Sequence, residues 1–383
     1  MITSLSLPPF NYFIINFFTF SLLFLFLIKK SNQHKNTKLF FFYGWLFGFG
    51  YFVTNLYWIS ISLTFDQNYK SLIPFTVFLI PSFLAIFYGL VSYLFILLKP
   101  KKIVSSFLIF SLVFGAIEYL RGIILTGFPW NLISYSFSNQ LEVLGIVSII
   151  GTYAFNLICI SLFTSPAIFI LRNKKKNILF FIFFLIIMIF FYSHGNLNKK
   201  NFYEAQKFFL DYKIRVIGSN INLDRFYTNI DPALIIKDLI TLTEPNIKEK
   251  TIFVWPEGIL PGVSQNELVE YETLFEESFG KNHLLIMGIN SQSVNNGLKK
   301  YYNSFSVYDH KLNLLDTYNK VNLVPFGEFL PFENILRNVG LRSLTNNYQS
   351  YSSGNKREII EINQKNFSLK ILPLICYEII YSG

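Results

Sequence analysis

Six long apolar runs fill the first half of the chain, at Tyr12–Ile28, Leu39–Leu63, Leu72–Leu98, Ile103–Tyr119, Val143–Leu171 and Ile178–Tyr192. A helix needs about 20 apolar residues to cross a bilayer. The pattern therefore predicts about six transmembrane helices, the last of them short. The first run is too long for the apolar stretch of a signal peptide, has no small-residue cleavage site after it, and follows Pro8-Pro9.

After Asn201 the pattern changes. "KIRVIGSN" (213–220) predicts a strand, and a helix follows Asp231-Pro232, with proline at its first position. "TIFVWPEG" (251–258) and "HLLIMGIN" (283–290) are continuous β-rich apolar runs and predict buried strands. "SQNE" (264–267) is a capping box opening a helix to about Phe279. "NSFSVYD" and "NLLDTYNK" predict a hairpin over Asp309–Lys311, and "REIIEI" and "SLKILPLICYE" two more strands. Strands alternating with helices define an α/β layered fold. The predicted organisation is a membrane domain over 1–192, a linker over 193–212 and an α/β domain over 213–383.

Composition agrees with this division. Of 383 residues, 52% are hydrophobic and only 15% charged, where a soluble domain carries about 25%. The net charge of +10 raises nucleic-acid binding as a reading, but the clustered charge sits in three short loops between apolar runs. Those loops hold Lys29, Lys30, Lys35 and Lys38; Lys99, Lys101 and Lys102; and Arg172, Lys174, Lys175 and Lys176, with no acidic residue. The opposite side carries Asp66, Lys70, Arg121, Lys199 and Lys200. The positive-inside rule puts the basic loops in the cytoplasm and residues 193–383 outside, in the periplasm of a Gram-negative cell.

Two stretches of the membrane half are more than lipid anchors. Gly44 and Gly48 form a small-xxx-small face suited to close helix packing. "EYLRGIILTGFPWN" (118–131) sets Glu118 and Arg121 three apart on one helix, where charge is costly and usually paired. Gly127, Pro129 and Trp130 then break the helix. A structural ion pair beside an interfacial turn and the wall of a lipid-facing cavity are both open readings.

In the α/β half three reactive side chains fall at strand ends: Glu257, Lys320 and Cys376. Strand ends on one edge of a sheet are where α/β enzymes build sites. A carboxylate can take a thiol proton, and a lysine can stabilise an oxyanion and favour the thiolate. Residue types alone favour a structural cysteine at 376, the commoner case. A disulfide is not expected, because Cys159 lies inside a predicted span. Cys376 is then a lone thiol on the outer side. The four histidines are scattered, so no metal set is expected, and no glycine loop for phosphate is present.

At these strand ends the chain resembles the apolipoprotein N-acyltransferase family, whose outer domain belongs to the nitrilase (carbon–nitrogen hydrolase) superfamily. The matching stretches are "VWPEG" (254–258), "YNKVNLVPFGEFLPF" (318–332) and "ICYE" (375–378), with "EYLRGIILTGFPW" and "LPPFNYF" in the membrane half. The resemblance implies a polytopic α-helical membrane domain joined to an α-β-β-α sandwich. Glu257 would be the general base, Lys320 would stabilise the oxyanion and Cys376 would carry the acyl group as a thioester. Glu328 would support the site beside Lys320, and Tyr377 and Glu378 would shape it. Trp130, with Glu118 and Arg121, would belong to a lipid cavity. The implied donor is a membrane phospholipid, typically phosphatidylethanolamine. The implied acceptor is the free α-amine of the lipidated N-terminal cysteine of a diacylated apolipoprotein. No cofactor, metal or nucleic acid is implied, and the implied location is the bacterial inner membrane. Relatives carry one more helix at the start and further strands, helices and a final span after the cysteine, so the resemblance implies that residues 1–383 alone are incomplete and inactive. The stretch 218–227 matches only loosely. Two other functions are alternatives: a membrane-anchored amidase using the same Glu-Lys-Cys set, and a transporter with an external binding domain. The latter would need polar residues along several spans, and the runs are almost purely Phe, Leu and Ile.

Overall fold

The computed structural model describes residues 1–381 apart from 35, 65–66, 172–174, 206–210, 219–229, 261, 296, 326 and 332–349. Lys35, Asp66, Arg172 and Lys174 of the charged loops, most of the 218–227 stretch, and Phe326 and Phe332 of the long motif lie outside the described residues. The chain divides into two compact units, Met1–Lys207 and Phe208–Tyr381.

The first unit is helical: α1 (Ile15–Ser31), α2 (Thr37–Leu56), α3 (Ile73–Leu98), α4 (Ile103–Ile123), α5 (Leu141–Leu144), α6 (Val147–Ile150), α7 (Thr152–Thr164), α8 (Pro166–Leu171) and α9 (Lys175–Ala205). Among the described residues five helical stretches are long and apolar enough to cross a membrane: Thr37–Thr64, Lys70–Leu98, Ile103–Ile123, Thr152–Leu171 and Ile178–Ala205. This differs from the six expected, because α1 reaches only 17 residues. The fifth apolar run is also not one helix. It is broken at Gly145, at Gly151, whose φ of +77° suits glycine, and at Ser165-Pro166, where the ring removes a helical donor. The last run continues as helix to Ala205, over the first part of the stretch read as linker.

Phenylalanine supplies this unit's core. Phe24 packs on Phe110 at 5.3 Å, Phe95 on Phe110 at 5.2 Å and Phe20 on Phe114 at 5.5 Å between ring centroids, all five buried. The two glycines of α2 let α3 approach. A Cβ at Gly44 would lie 2.3 Å from the Tyr88 carbonyl oxygen, and one at Gly48 would lie 2.7 Å from Tyr88 Cβ. Gly44→Leu should therefore force the two helices apart. The expected cost is about 1–3 kcal/mol or more, read as a lower unfolding temperature in detergent; an unchanged temperature would refute the packing role.

The second unit holds β1 (Lys213–Val216), α10 (Pro232–Thr243), β2 (Thr251–Trp255), α11 (Glu272–Ser278), β3 (His283–Asn295), β4 (Leu298–Tyr308), β5 (Leu314–Asn319), β6 (Ile360–Gln364) and β7 (Phe367–Ile371). The first five strands form one sheet in the order β1-β2-β3-β4-β5; β6 and β7 form a second. β1, β2 and β3 are parallel, and β3, β4 and β5 antiparallel. Alternation sorts the side chains. Phe253, Trp255, Leu285, Met287 and Tyr308 pack on one face in a core shared with Ile236 and Leu239 of α10 and Phe275 of α11. Ile252, Leu284, Ile286, Val307 and Tyr318 pack on the other with Ile360, Ile362, Phe367 and Ile375. The described residues thus make three layers: helices, five-stranded sheet, two-stranded sheet.

Local chemistry explains most of these elements. Asp231 caps α10, accepting from the Ala233 N–H at 2.9 Å, with Pro232 at the first position. At "SQNE" Glu267 Oε2 accepts from the Ser264 N–H and hydroxyl, both at 2.7 Å. The helix does not open there as expected. Ser264 instead bridges to Asn290 of β3, and a 3-10 turn at Leu268–Tyr271 precedes α11.

Candidate active site

Glu257 and Lys320 lie just past the ends of β2 and β5, as the pattern predicts. Cys376 does not sit on a strand end. β7 stops at Ile371 and Cys376 begins a 3-10 turn, Cys376–Ile380. The reason is the sequence after β7: Pro373 lacks the N–H a strand ladder needs, and Ile375 is drawn back into the core between sheets. Cys376 has φ of +48°, a left-handed conformation that costs a non-glycine residue about 1–3 kcal/mol and concentrates at functional sites. It is exposed, and both cysteines are free.

Glu378 holds this turn. Its carboxylate is fully buried. Oε1 accepts from the Tyr318 hydroxyl at 2.8 Å, the Val321 N–H at 2.8 Å and the Asn322 N–H at 3.1 Å. Oε2 accepts from the Ile375 N–H at 3.0 Å. One side chain therefore ties the residue before Cys376 to the two residues after Lys320. Tyr318 donates rather than ionises: burial and then Glu378 push its pKa up. Arg357 adds a second tie, donating to Asn322 Oδ1 at 2.8 Å and to the Glu378 carbonyl at 3.3 Å. Tyr377 is buried against Tyr381, ring centroids 5.2 Å apart.

Lys320 is buried, its side chain 1% exposed, with Nζ 3.0 Å from Glu328 Oε1 and 3.6 Å from Glu257 Oε1. Glu328 is fixed in turn, since its Oε2 accepts from the Val324 N–H at 2.8 Å. Asn303, which the sequence reading passed over, donates from Nδ2 to Glu257 Oε1 at 2.5 Å and to Glu328 Oε1 at 2.7 Å. A signal for it exists: asparagine is depleted in strands, and position 303 alternates with Phe305 and Val307 on the face that packs inward. Gly288 of β3 was missed as well. A Cβ there would lie 2.5 Å from Glu257 Cα, so only glycine lets the Glu257 backbone close over the sheet.

Cys376 belongs to the same electrostatic group. Although the residue is exposed, its thiol pKa is raised, first by partial burial of the sulfur and then by the Glu257 charge, with Lys320 pulling the other way. The thiol is thus the resting form, and a base must take its proton for attack. A direct test follows. The midpoint of Cys376 alkylation by iodoacetamide should lie above the ordinary thiol range, and Glu257→Gln, by removing the negative charge, should lower it. A midpoint that rises in Glu257→Gln would contradict this geometry.

In the membrane unit Trp130 lines a cavity of about 480 Å³ with Pro9, Asn55, Tyr57, Trp58 and Asn131 among others. Glu118 and Arg121 do not line it. They form a fully buried pair, Arg121 Nη2 to Glu118 Oε2 at 2.7 Å. Arg121 Nη1 also donates to the Phe128 carbonyl at 2.5 Å and the Trp130 carbonyl at 2.9 Å. The pair therefore fixes the turn that presents Trp130, in line with the structural ion-pair reading, and Glu118 and Arg121 are not themselves cavity wall. Among the described residues no cluster of His, Cys, Asp and Glu could hold a metal.

Comparison with known proteins agrees with both halves. The carbon–nitrogen hydrolase family model matches residues 236–383, which sets the class of the α/β unit. The apolipoprotein N-acyltransferase N-terminal domain model matches residues 1–165. Apolipoprotein N-acyltransferase from Rhodopseudomonas palustris is 28% identical over 99% of this chain and 72% of its own length. The proteins of that name from Rhizobium rhizogenes and Brucella melitensis are 29% and 28% identical over 98% and 99% of this chain, again 72% of their own lengths. A solved N-terminal amidase with an Asn-Glu-Ala peptide aligns at 20% identity over 29% of this chain and 28% of its own, with a TM-score of 0.21, too low to bear on the fold. The chain is thus similar to the apolipoprotein N-acyltransferases over nearly its whole length and to the carbon–nitrogen hydrolases in its α/β unit, and is a multi-pass bacterial membrane protein.

Proposed function

We propose that this enzyme moves an acyl chain from a membrane phospholipid to the α-amine of the N-terminal cysteine of a diacylated apolipoprotein, through a thioester on Cys376. The observation that supports the reading is that Lys320 and Glu257, linked through Glu328 and Asn303, lie close enough to Cys376 for both charges to act on its thiol.

Glu257 takes the thiol proton as Cys376 Sγ attacks the ester carbonyl and a C–S bond forms. The oxyanion of the tetrahedral intermediate is stabilised by the Lys320 ammonium. The intermediate collapses, the C–O bond to the glycerol breaks, and Glu257 returns its proton to that oxygen, releasing lysophospholipid. The acceptor amine then attacks the thioester carbonyl, a C–N bond forms, the C–S bond breaks, and the amine proton passes by Glu257 to the cysteine sulfur. Phosphatidylethanolamine is the donor the family resemblance favours. The eleven basic residues in three loops support placing the α/β unit on the periplasmic side of the inner membrane.

The test uses full-length protein in micelles of phosphatidylethanolamine with a labelled acyl chain and a diacylated lipopeptide. Label in amide linkage on the peptide is the expected product. Labelled free fatty acid with an unmodified peptide would replace this reading with that of a hydrolase.

A further inference from the structure

Both N–H groups of the Asn303 amide are directed at carboxylates, Glu257 and Glu328. The amide can take no other orientation, because turning its oxygen inward would bring three acceptors together. Asn303 is 7% exposed, and its own carbonyl accepts from the Lys320 N–H at 2.9 Å. β4 therefore sets the amide and the ammonium in one register. Lys320 reaches the same Oε1 of Glu257 that Asn303 holds. The oxygen these two donors leave for a thiol proton is Oε2.

We propose that Asn303 is a positioning residue for the acyl-transfer chemistry: it pins Glu257 by Oε1, presents Oε2 to Cys376, and holds Glu257 and Glu328 together around one lysine. The inference rests on the reading of Cys376 as nucleophile. Two carboxylates this close repel, and a single ammonium offsets only part of that. Donors to a carboxylate favour its charged form, so losing the amide should move proton uptake by the base to higher pH. Among the described residues the other groups facing the pair are Lys320, Cys376 and Tyr351. The Tyr351 hydroxyl donates to Asn290 Oδ1 at 3.1 Å, and both carboxylates act on it.

The experiment is the pre-steady-state burst of nitrophenol from p-nitrophenyl hexanoate, followed against pH in full-length protein. In the burst Sγ attacks the ester carbonyl, the C–O bond to nitrophenolate breaks and the thiol proton goes to Glu257, so its acid limb reports the base. Asn303→Ala should shift that limb upward by about one pH unit or more. Asn303→Asp, of nearly the same shape but with a third carboxylate in place of the two donors, should shift it further. A limb that stays in place in both folded variants, with the burst lowered equally at every pH, would overturn the proposal and leave Asn303 a purely structural residue. A burst that survives in Cys376→Ala would overturn it together with the nucleophile reading. A burst that requires Cys376, in a protein that transfers nothing to lipopeptide, would refute the acceptor assignment alone and leave the Asn303 shift to be read as above.

Discussion

Lys320→Met will reduce acyl transfer by at least about 10²–10³-fold, the cost of removing one oxyanion donor from a preorganised site. The lysine side chain is 1% exposed and is the cation between Glu257 and Glu328. Methionine fills the same space without the charge. The two carboxylates, still bridged by Asn303, then lose the counter-charge that makes their approach tolerable, and breaking such a pair costs about 3–5 kcal/mol. Activity and unfolding temperature should therefore fall together. Lys320→Arg separates the two effects. It keeps the charge, but its guanidinium is larger and planar in a buried slot. A fold restored to near parental stability with turnover still at least tenfold down is the expected outcome; near-parental turnover in either variant would remove Lys320 from the chemistry.

Glu378→Ala will strongly destabilise the α/β unit. It strands the Val321, Asn322 and Ile375 N–H groups and the Tyr318 hydroxyl. Each unsatisfied buried donor costs about 1–3 kcal/mol, and with partial relaxation a loss of about 3–5 kcal/mol is expected. Cys376 keeps its left-handed φ only while the turn around it is held, so its burst chemistry should fall as well. Glu378→Gln keeps acceptance at one oxygen but points an amide at a donor, so an intermediate loss is expected. Unfolding temperatures ordered parent, Gln, Ala check the account; an Ala variant as stable as the parent would show that the turn is held by something else.

Much of this site could be read from the chain alone. Glu257 and Cys376 follow apolar β-rich stretches and Lys320 a more polar one, and β2 and β5 emerge where the runs predict them, while β3 and β4 run on to Asn295 and back to Leu298, past the stretches the pattern marks. Glu118 and Arg121 announced themselves as charge among Phe and Leu. What the sequence hid depends on tertiary contacts. The break in the run 143–171 rests on glycine torsions and one proline, and hydropathy averages them away. Cys376 leaves the strand because Ile375 is claimed by the core between the sheets, a contact with no local signature. Asn303 is marked only as an asparagine on the inward face of a strand, and its role exists only once β5 delivers Lys320 beside it. Gly288 matters only because another loop closes over it.

The central claim is that Cys376 carries the acyl chain. The most direct measurement is the mass of the Cys376 peptide after full-length protein is incubated with phospholipid and no acceptor, then quenched in acid. The account predicts an added acyl mass on Cys376 that hydroxylamine removes and that disappears when lipopeptide is supplied. An unmodified Cys376 in a preparation that goes on to acylate lipopeptide would contradict it.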